Sequence, residues 1–290
     1  MTTDVELVLD AGAELGEAPT WDAENDTLIW VDVTAGVVHR TDPRAGTDEA
    51  FDVGRSVGAA VPMYEGQLAI ATDDGFWSLE PSTGAIESIA WIDTASGVVM
   101  NDGKTDRAGR FWAGTKDSEG RRPIGSLYRL DPDRTVNEVI RGVTISNGLG
   151  WSPDGCTMYY IDSATYGIDA FTADPASGSI SGRRRLVDLP REWGLPDGMT
   201  VDEEGFLWVA FWTGSAVRRL DPHGELASTV ELPVSLVTSC TFGGPQLDEL
   251  YVTSARIWLS EDQLRAEPNA GAVFRFRPGI RGAPARPFAR

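Results

Sequence analysis

The 290-residue chain has few of the residues on which several common kinds of site are built. It contains two histidines, His39 and His223, and two cysteines, Cys156 and Cys240. We therefore expect neither a Ser-His-Asp triad, nor a zinc site with several histidines, nor a framework of disulfides. The pattern G-x-S-x-G occurs at 54–58, but that motif needs a strand–elbow–helix context and a histidine partner. We interpret the stretch as the start of an inner strand.

The chain also lacks an excess of basic residues and any long apolar run. Its 25 lysines and arginines stand against 44 acidic residues, so the formal net charge is −19. Nucleic acids and anionic membranes are recognised by basic patches, so we expect neither as a partner. The sequence shows no segment of membrane-spanning length and no signal-peptide pattern at its beginning. These absences predict a cytoplasmic protein, and they leave its oligomeric state open.

Short strand-like segments, separated by Gly, Asp and Pro, recur six times along the chain. In the first unit, the apolar segment 28–33 is followed by the segment 36–43, which begins with Gly and ends in Asp-Pro. The period of roughly 40–50 residues is that of propeller blades. A sandwich would explain the short strands but not the sixfold recurrence. We predict an all-β, six-bladed β-propeller that forms one domain over residues 1–290, with a tail after Phe276 that is loosely ordered.

Four polar residues occupy one phase of this repeat. Asn101, Asn147 and Asp197 each lie in a short Gly-containing motif (NDG, SNG and PDG) before a strand, and Glu17 lies in a corresponding position. We interpret the three motifs as tight corners that hold each side chain at a strand entrance. The innermost strands of a propeller line its channel, so these four side chains should converge there. The alternative is that they serve only as turn residues or as caps of strand ends.

The four residues offer oxygen ligands, which favour hard cations such as Ca²⁺, Mg²⁺ or Mn²⁺. Two carboxylates and an amide oxygen would neutralise a divalent cation and leave positions for water and substrate. A metal-bound water beside a carboxylate is an arrangement suited to hydrolysis. The sequence has no complete EF-hand loop, P-loop or dinucleotide-binding glycine motif that would suggest another chemistry.

Several long segments resemble the regucalcin, gluconolactonase and luciferin-regenerating-enzyme family. They are LGEAPTW, NDGKTDRAGRFWAGT, ISNGLGWSPDG and LPDGMTVDEEGFLWVA, and with other matches they extend through nearly the whole chain. The resemblance implies a six-bladed propeller with one divalent metal in its channel, Ca²⁺ being preferred and Zn²⁺, Mg²⁺, Mn²⁺ or Fe²⁺ being alternatives. By motif, the metal ligands would be Glu17, Asn147 and Asp197. Asn101 and Glu119 would contact the substrate.

The family activity implied by this resemblance is the hydrolysis of sugar lactones, with Asp197 as the base. One position departs from the pattern: Val99 stands where sugar-lactone members often have an arginine two residues before the Asn of NDG. Valine cannot donate hydrogen bonds to hydroxyls or to a carboxylate, so the departure points to a less polar lactone or another ester. Two rival functions stay open: hydrolysis of another electrophile such as an organophosphate, and calcium binding without catalysis.

Overall fold

The computed structural model describes residues 4–288, which form six antiparallel sheets of four strands each. In five of the sheets the strands follow one another along the chain and are hydrogen-bonded in that order. These sheets are β2 (Gly16–Asp22), β3 (Thr27–Asp32), β4 (Val37–Asp42) and β5 (Thr47–Asp52); β6 (Val57–Pro62), β7 (Leu68–Thr72), β8 (Gly75–Glu80) and β9 (Ala85–Trp91); β10 (Val98–Thr105), β11 (Phe111–Asp117), β12 (Gly125–Leu130) and β13 (Val136–Val143); β14 (Ser146–Trp151), β15 (Thr157–Asp162), β16 (Gly167–Ala173) and β17 (Ile180–Asp188); and β18 (Leu195–Val201), β19 (Leu207–Trp212), β20 (Ala216–Leu220) and β21 (Leu226–Glu231).

The sixth sheet joins the two ends of the chain. It contains β22 (Val237–Gly243), β23 (Glu249–Ser254) and β24 (Val273–Phe276), and its outermost strand is the N-terminal β1 (Glu6–Leu9). Glu6 lies opposite Arg275 in this pairing, and their side chains form an ion pair of 2.8 Å. The ring closes where Thr238 on β22 donates a hydrogen bond of 2.6 Å to the carbonyl of Gly16 on β2. The predicted all-β six-bladed propeller is confirmed.

The inner strands are buried and the outer strands are exposed. Every residue of β2, β6 and β22 is buried, whereas most residues of the outer strands β5 and β21 are exposed or half-buried. Inner strands pack against neighbouring sheets and the channel, so even their polar residues, such as Glu17 and Asn101, are buried. The interpretation of 54–58 as the start of an inner strand is confirmed, because β6 begins at Val57.

Each inner strand has a register shift against its partner near its beginning. The shifts fall between residues 17 and 20, 57 and 59, 100 and 103, 147 and 149, 196 and 199, and 237 and 239. A β-bulge of this kind breaks the alternation of side chains and can turn a chosen side chain toward a site. Four of the six shifts contain or adjoin the polar residues Glu17, Asn101, Asn147 and Asp197.

The prediction that NDG, SNG and PDG form tight corners is wrong. Each motif lies inside a continuous strand, and none of its glycines has a positive φ angle. Glycine is required at these positions because a side chain would not fit between the neighbouring strands. A Cβ on Gly148 would lie 2.8 Å from the carbonyl oxygen of Asp197, and one on Gly198 would collide with Ser239 on the next inner strand. These glycines let neighbouring inner strands approach closely around the channel.

The C-terminal segment is more ordered than its composition predicts. Phe288 is buried in the apolar core of the first sheets, and its backbone N–H donates to the carbonyl of Pro62 at 2.7 Å. Residues 283–286 line a cavity at the far end of the channel together with Thr20, Lys104 and Thr241. The expectation of a loosely ordered tail is therefore wrong up to residue 288.

Helices contribute little to the fold. Within residues 4–288 the only α-helix is α1 (Glu261–Ala266), which begins with a capping box formed by Ser260 and Gln263. Three single-turn 3₁₀ helices lie at Tyr64–Gly66, Ser163–Thr165 and Arg191–Trp193. No helix in the described chain has the length and apolar character needed to cross a bilayer.

Candidate functional site

Glu17, Asn101, Asn147 and Asp197 are all buried, between 4% and 6% exposed, on four different inner strands. Two observations show that they meet. The amide nitrogen of Asn101 donates a hydrogen bond of 2.8 Å to the amide oxygen of Asn147, and the charge of Glu17 is, after burial, the main cause of the raised pKa of Asp197. The structure thus brings together residues up to 180 positions apart in the sequence.

The two asparagines are held in fixed orientations by neighbouring residues. Asn147 donates through its amide nitrogen to the hydroxyl of Ser163 at 2.8 Å, so its amide oxygen faces Asn101. Asn101 uses its amide nitrogen a second time, for the carbonyl of Ser146 at 2.7 Å. Because both donations of Asn101 go to protein acceptors, its own amide oxygen is the atom left for a ligand.

The backbone beside Glu17 is in an unusual conformation. Ala18 has a φ of 45°, in the left-handed region that a residue with a Cβ adopts only at a cost. Its N–H donates to a carboxylate oxygen of Glu17 at 2.9 Å. This conformation fixes the Glu17 side chain at the channel, and it is the kind of local strain that occurs at functional sites.

Both carboxyl groups lie where an unneutralised negative charge is unfavourable. Burial, followed by the charge of Asp102, raises the pKa of Glu17 to about 8. Burial, then the charges of Glu17 and Asp102, raises the pKa of Asp197 well above its usual range. One carboxylate oxygen of Asp197, Oδ1, is buried with no hydrogen-bond partner in the protein. Buried polar atoms nearly always have a partner, so this oxygen marks a place for a ligand.

A second acid and a lysine accompany the cluster, and neither was predicted from the sequence. Asp102 is 3% exposed, and burial raises its pKa to about 6, opposed mainly by the charge of Lys104. Lys104 extends across the channel and donates to the carbonyl of Met199 at 2.7 Å; burial lowers its pKa. The bulge allows Asn101 and Asp102 to be buried side by side. The only sequence signal was the charged pair within NDGK.

The structure does not place Glu119 with the buried cluster. Glu119 lies in the loop between β11 and β12, where it is exposed and pairs with Arg121. Its loop emerges at the same end of the third sheet as Asn101, so a substrate contact at the rim stays a prediction. Val99 is half-buried on β10, and its partner across the strands is Lys116 on β11.

The donor set of the cluster suits a hard divalent cation. It offers carboxylate oxygens from Glu17 and Asp197 and an amide oxygen from Asn147, with no sulfur or imidazole among them. Within residues 4–288 no group of three or more His, Cys, Asp or Glu side chains is arranged to hold a metal, so any such site depends on the asparagine oxygen. The unpartnered oxygen of Asp197 and the raised pKa of both acids fit a cation at this place.

Comparison with known proteins agrees with this architecture. Residues 15–256 match the family described as the SMP-30/Gluconolactonase/LRE-like region. The chain is 41% identical to regucalcin of Gallus gallus, with 98% of each chain covered. It is 35% identical to YvrE of Bacillus subtilis (strain 168), which carries the name of a sugar lactone lactonase, with 99% of each chain covered.

Among solved structures, a regucalcin from Agrobacterium tumefaciens described as a calcium-binding protein superposes with a TM-score of 0.95. It is 26% identical, and the match covers 100% of this chain and 99% of the other. Three findings lead to one conclusion: the propeller has six sheets, a polar cluster lies at the bulges of four inner strands, and the chain is similar in sequence to these proteins. The chain belongs to the SMP-30/gluconolactonase/LRE-like family.

Proposed function

We propose that this protein is a metal-dependent hydrolase that opens the ring of a small lactone in its channel. The observation that carries the proposal is the buried, unpartnered oxygen of Asp197, in a cluster where Glu17 is also buried. Two neighbouring buried carboxyls need a positive charge to be ionised together. The relatives named after lactones support lactones as the substrate class.

Glu17, Asn147 and Asp197 would hold the cation, and their oxygen-only chemistry favours Ca²⁺, as the description of the Agrobacterium relative does for that protein. When bound, a divalent cation supplies Lewis-acid polarisation of a carbonyl oxygen and lowers the pKa of a bound water. The Ser163 hydroxyl keeps the amide oxygen of Asn147 turned toward the cluster.

The chain's own residues then have distinct tasks. Asp197 accepts a proton from the water that attacks the lactone carbonyl, because its buried Oδ1 has no partner in the protein. Asn101 orients the ring through its amide oxygen, the one atom of its side chain that the protein leaves unused. Burial of the cluster keeps bulk water away from these contacts, which strengthens each of them.

The test is a panel of lactones, supplemented with phosphotriesters, assayed on the purified protein before and after removal of divalent ions. We expect lactone hydrolysis that a chelator abolishes and that added Ca²⁺ or another divalent ion restores. Metal analysis of the purified protein identifies the ion. Lactone hydrolysis that is unaffected by complete removal of divalent ions would contradict the proposal, and so would turnover of phosphotriesters alone.

A second candidate is a calcium-binding protein without catalytic activity. It is favoured by the description of the similar Agrobacterium structure, which mentions calcium binding and no reaction. This alternative predicts that Ca²⁺ raises the unfolding temperature while no lactone in the panel is hydrolysed. The proposed lactonase predicts both effects together.

A further inference from the structure

The chain uses lysine at only two places. Of its 25 basic residues, 23 are arginines, and the lysines are Lys104 and Lys116. Both lie on the third sheet, on the adjacent strands β10 and β11, and the charge of each acts on the channel carboxyls. The positive charge of lysine is concentrated on a compact ammonium group, whereas that of arginine is spread over a planar guanidinium group. Both lysines of the chain therefore belong to the sheet that carries Asn101 and Asp102.

The two lysines differ in what they bind. Lys104 is occupied, since its ammonium donates to the carbonyl of Met199 and faces Asp102. Lys116 is half-buried at the end of β11, and no carboxylate of residues 4–288 lies within ion-pair distance of it. Burial raises the pKa of Glu17, Asp197 and Asp73, and the charge of Lys116 acts in the opposite direction on all three. Its backbone pairs with Val99 and is bridged to Ile145, which come two residues before Asn101 and Asn147, so the unpaired Lys116 lies between the strands that carry the two asparagines.

Strand register explains why Lys116 reaches this position. Val99 on β10 and Lys116 on β11 are cross-strand partners, and directly opposed residues project from the same face of a sheet. Lys116 is also bridged through its backbone to Ile145, just before β14. Val99 is the position at which sugar-lactone members resembling this chain often carry an arginine. Lys116 thus places a positive charge on the strand next to Val99.

We propose that Lys116 is a specificity-determining residue that binds a carboxylate on the lactone substrate. This inference rests on the proposed function and names its substrate class more closely. An acidic channel repels anions, and Lys116 provides the unpaired cation that offsets this repulsion. Hydrogen bonds between charged groups are about twice as strong as neutral ones, so an unpaired ammonium favours an anion over a hydroxyl. The absence of arginine at Val99 therefore does not by itself exclude an acidic lactone.

The test compares hydrolysis of a neutral lactone, glucono-δ-lactone, with hydrolysis of a carboxylate-bearing one, glucaro-γ-lactone. In Lys116→Met, which keeps an unbranched chain without the charge, we expect kcat/KM for the anionic lactone to fall roughly 10-fold, mainly through KM. For the neutral lactone we expect a change of no more than about twofold. The double variant Val99→Arg/Lys116→Met, which moves the cation back to β10, recovers most of the loss.

Arg141→Met is the matched control, because it removes one positive charge from an exposed site at the outer strand of the same sheet. It should leave the ratio of the two kcat/KM values unchanged. Equal losses for both lactones in Lys116→Met, or no loss for either, would overturn the assignment.

If the unaltered protein opens neither of these two lactones, the full lactone panel still decides the proposed function, and the role of Lys116 is decided by binding alone. Calorimetric titration with glucarate and with uncharged glucitol then compares the unaltered protein with Lys116→Met. Preferential glucarate binding that is lost in the variant supports the assignment. Equal binding of the two compounds by the unaltered protein rejects it.

Discussion

Strand β18 has a buried aspartate near its beginning and another just after its end. The two differ in whether their carboxylate oxygens have hydrogen-bond partners. Asp202, just after the strand, is 1% exposed and fully partnered. One of its oxygens accepts the N–H groups of Glu204 and Phe206, and the other accepts the Trp208 indole and the Arg219 guanidinium. Asp197, five residues earlier, is 6% exposed and has one oxygen without any partner.

The third sheet repeats this contrast. Asp106, after β10, accepts the N–H groups of Ala108 and Arg110, together with the Trp112 indole and the Arg110 guanidinium. Within the same strand, four residues before Asp106, Asp102 has a raised pKa and only its neighbouring Gly103 N–H as a backbone donor. Burial alone does not distinguish a structural acid from a functional one; what distinguishes them is whether the protein satisfies its oxygens.

The largest expected effect is the loss of activity in Asp197→Asn. The amide keeps the shape but cannot accept the proton, so we expect lactone turnover to fall roughly 10³-fold. In the ion-free protein the fold should be at least as stable as before, because the substitution removes the repulsion between Asp197 and Glu17. Parallel rate and thermal-unfolding measurements check this. Undiminished turnover would remove Asp197 from the reaction.

The companion variant, Asp202→Asn, should show the reverse pattern. Whichever way the new amide is turned, its NH₂ group faces N–H groups that need an acceptor. Arg219 also loses the buried carboxylate with which it forms an ion pair. We expect the free energy of unfolding to fall by about 3 kcal/mol, with activity per folded molecule retained. Urea titration with an activity assay below the transition measures both quantities. A variant as stable as the parent would show that the network around Asp202 adds nothing.

Removal of divalent ions should make stability depend on pH. The pKa of Glu17 is higher in the folded chain than its usual 4.5, so its contribution to stability is full below about pH 4.5 and is lost as pH rises through about 8. Asp197 acts in the same direction. Saturating cation should reverse the loss, by about 2.7 kcal/mol at a hundredfold excess over Kd. Thermal unfolding measured from pH 5 to pH 8, with and without the cation, tests this pH dependence. In the ion-free protein, Glu17→Gln should make the unfolding temperature less dependent on pH.

The smallest effect is expected from Ser163→Ala. This change removes the acceptor that orients Asn147, without touching either carboxyl. Supporting contacts of this kind typically alter metal affinity 10- to 100-fold, and we expect roughly 10-fold weaker cation binding with unaltered folding. Calorimetric titration with Ca²⁺ measures it. The control is Ser177→Ala, which removes a hydroxyl from an exposed turn. If Ser163→Ala binds Ca²⁺ as tightly as the unaltered protein does, Asn147 is oriented by other contacts.

Much of the architecture could be predicted from the sequence because it repeats. The six units, the start of β6 and the shared phase of Glu17, Asn101, Asn147 and Asp197 follow from local patterns. The pairing of β1 with β24 has no local signal, because it joins segments about 270 residues apart. Burial of Phe288 likewise depends on distant residues around Pro62. The single-domain organisation, the cytoplasmic location and the roles of individual site residues stay predictions.

The repeat period, the balance of charge and the residue types at one phase of the repeat were determined by the sequence alone, because each is a property of neighbouring residues. The tertiary structure alone decided that the NDG, SNG and PDG glycines serve close packing of strands, and that Asp102 and Lys104 join the cluster. It alone separated Asp197 from Asp202, although both are buried aspartates near Gly. Asp202 takes three of its partners from the six residues that follow it, whereas the surroundings of Asp197 include Glu17 and Asp102, which lie far away in the sequence and which only the closed ring brings beside it.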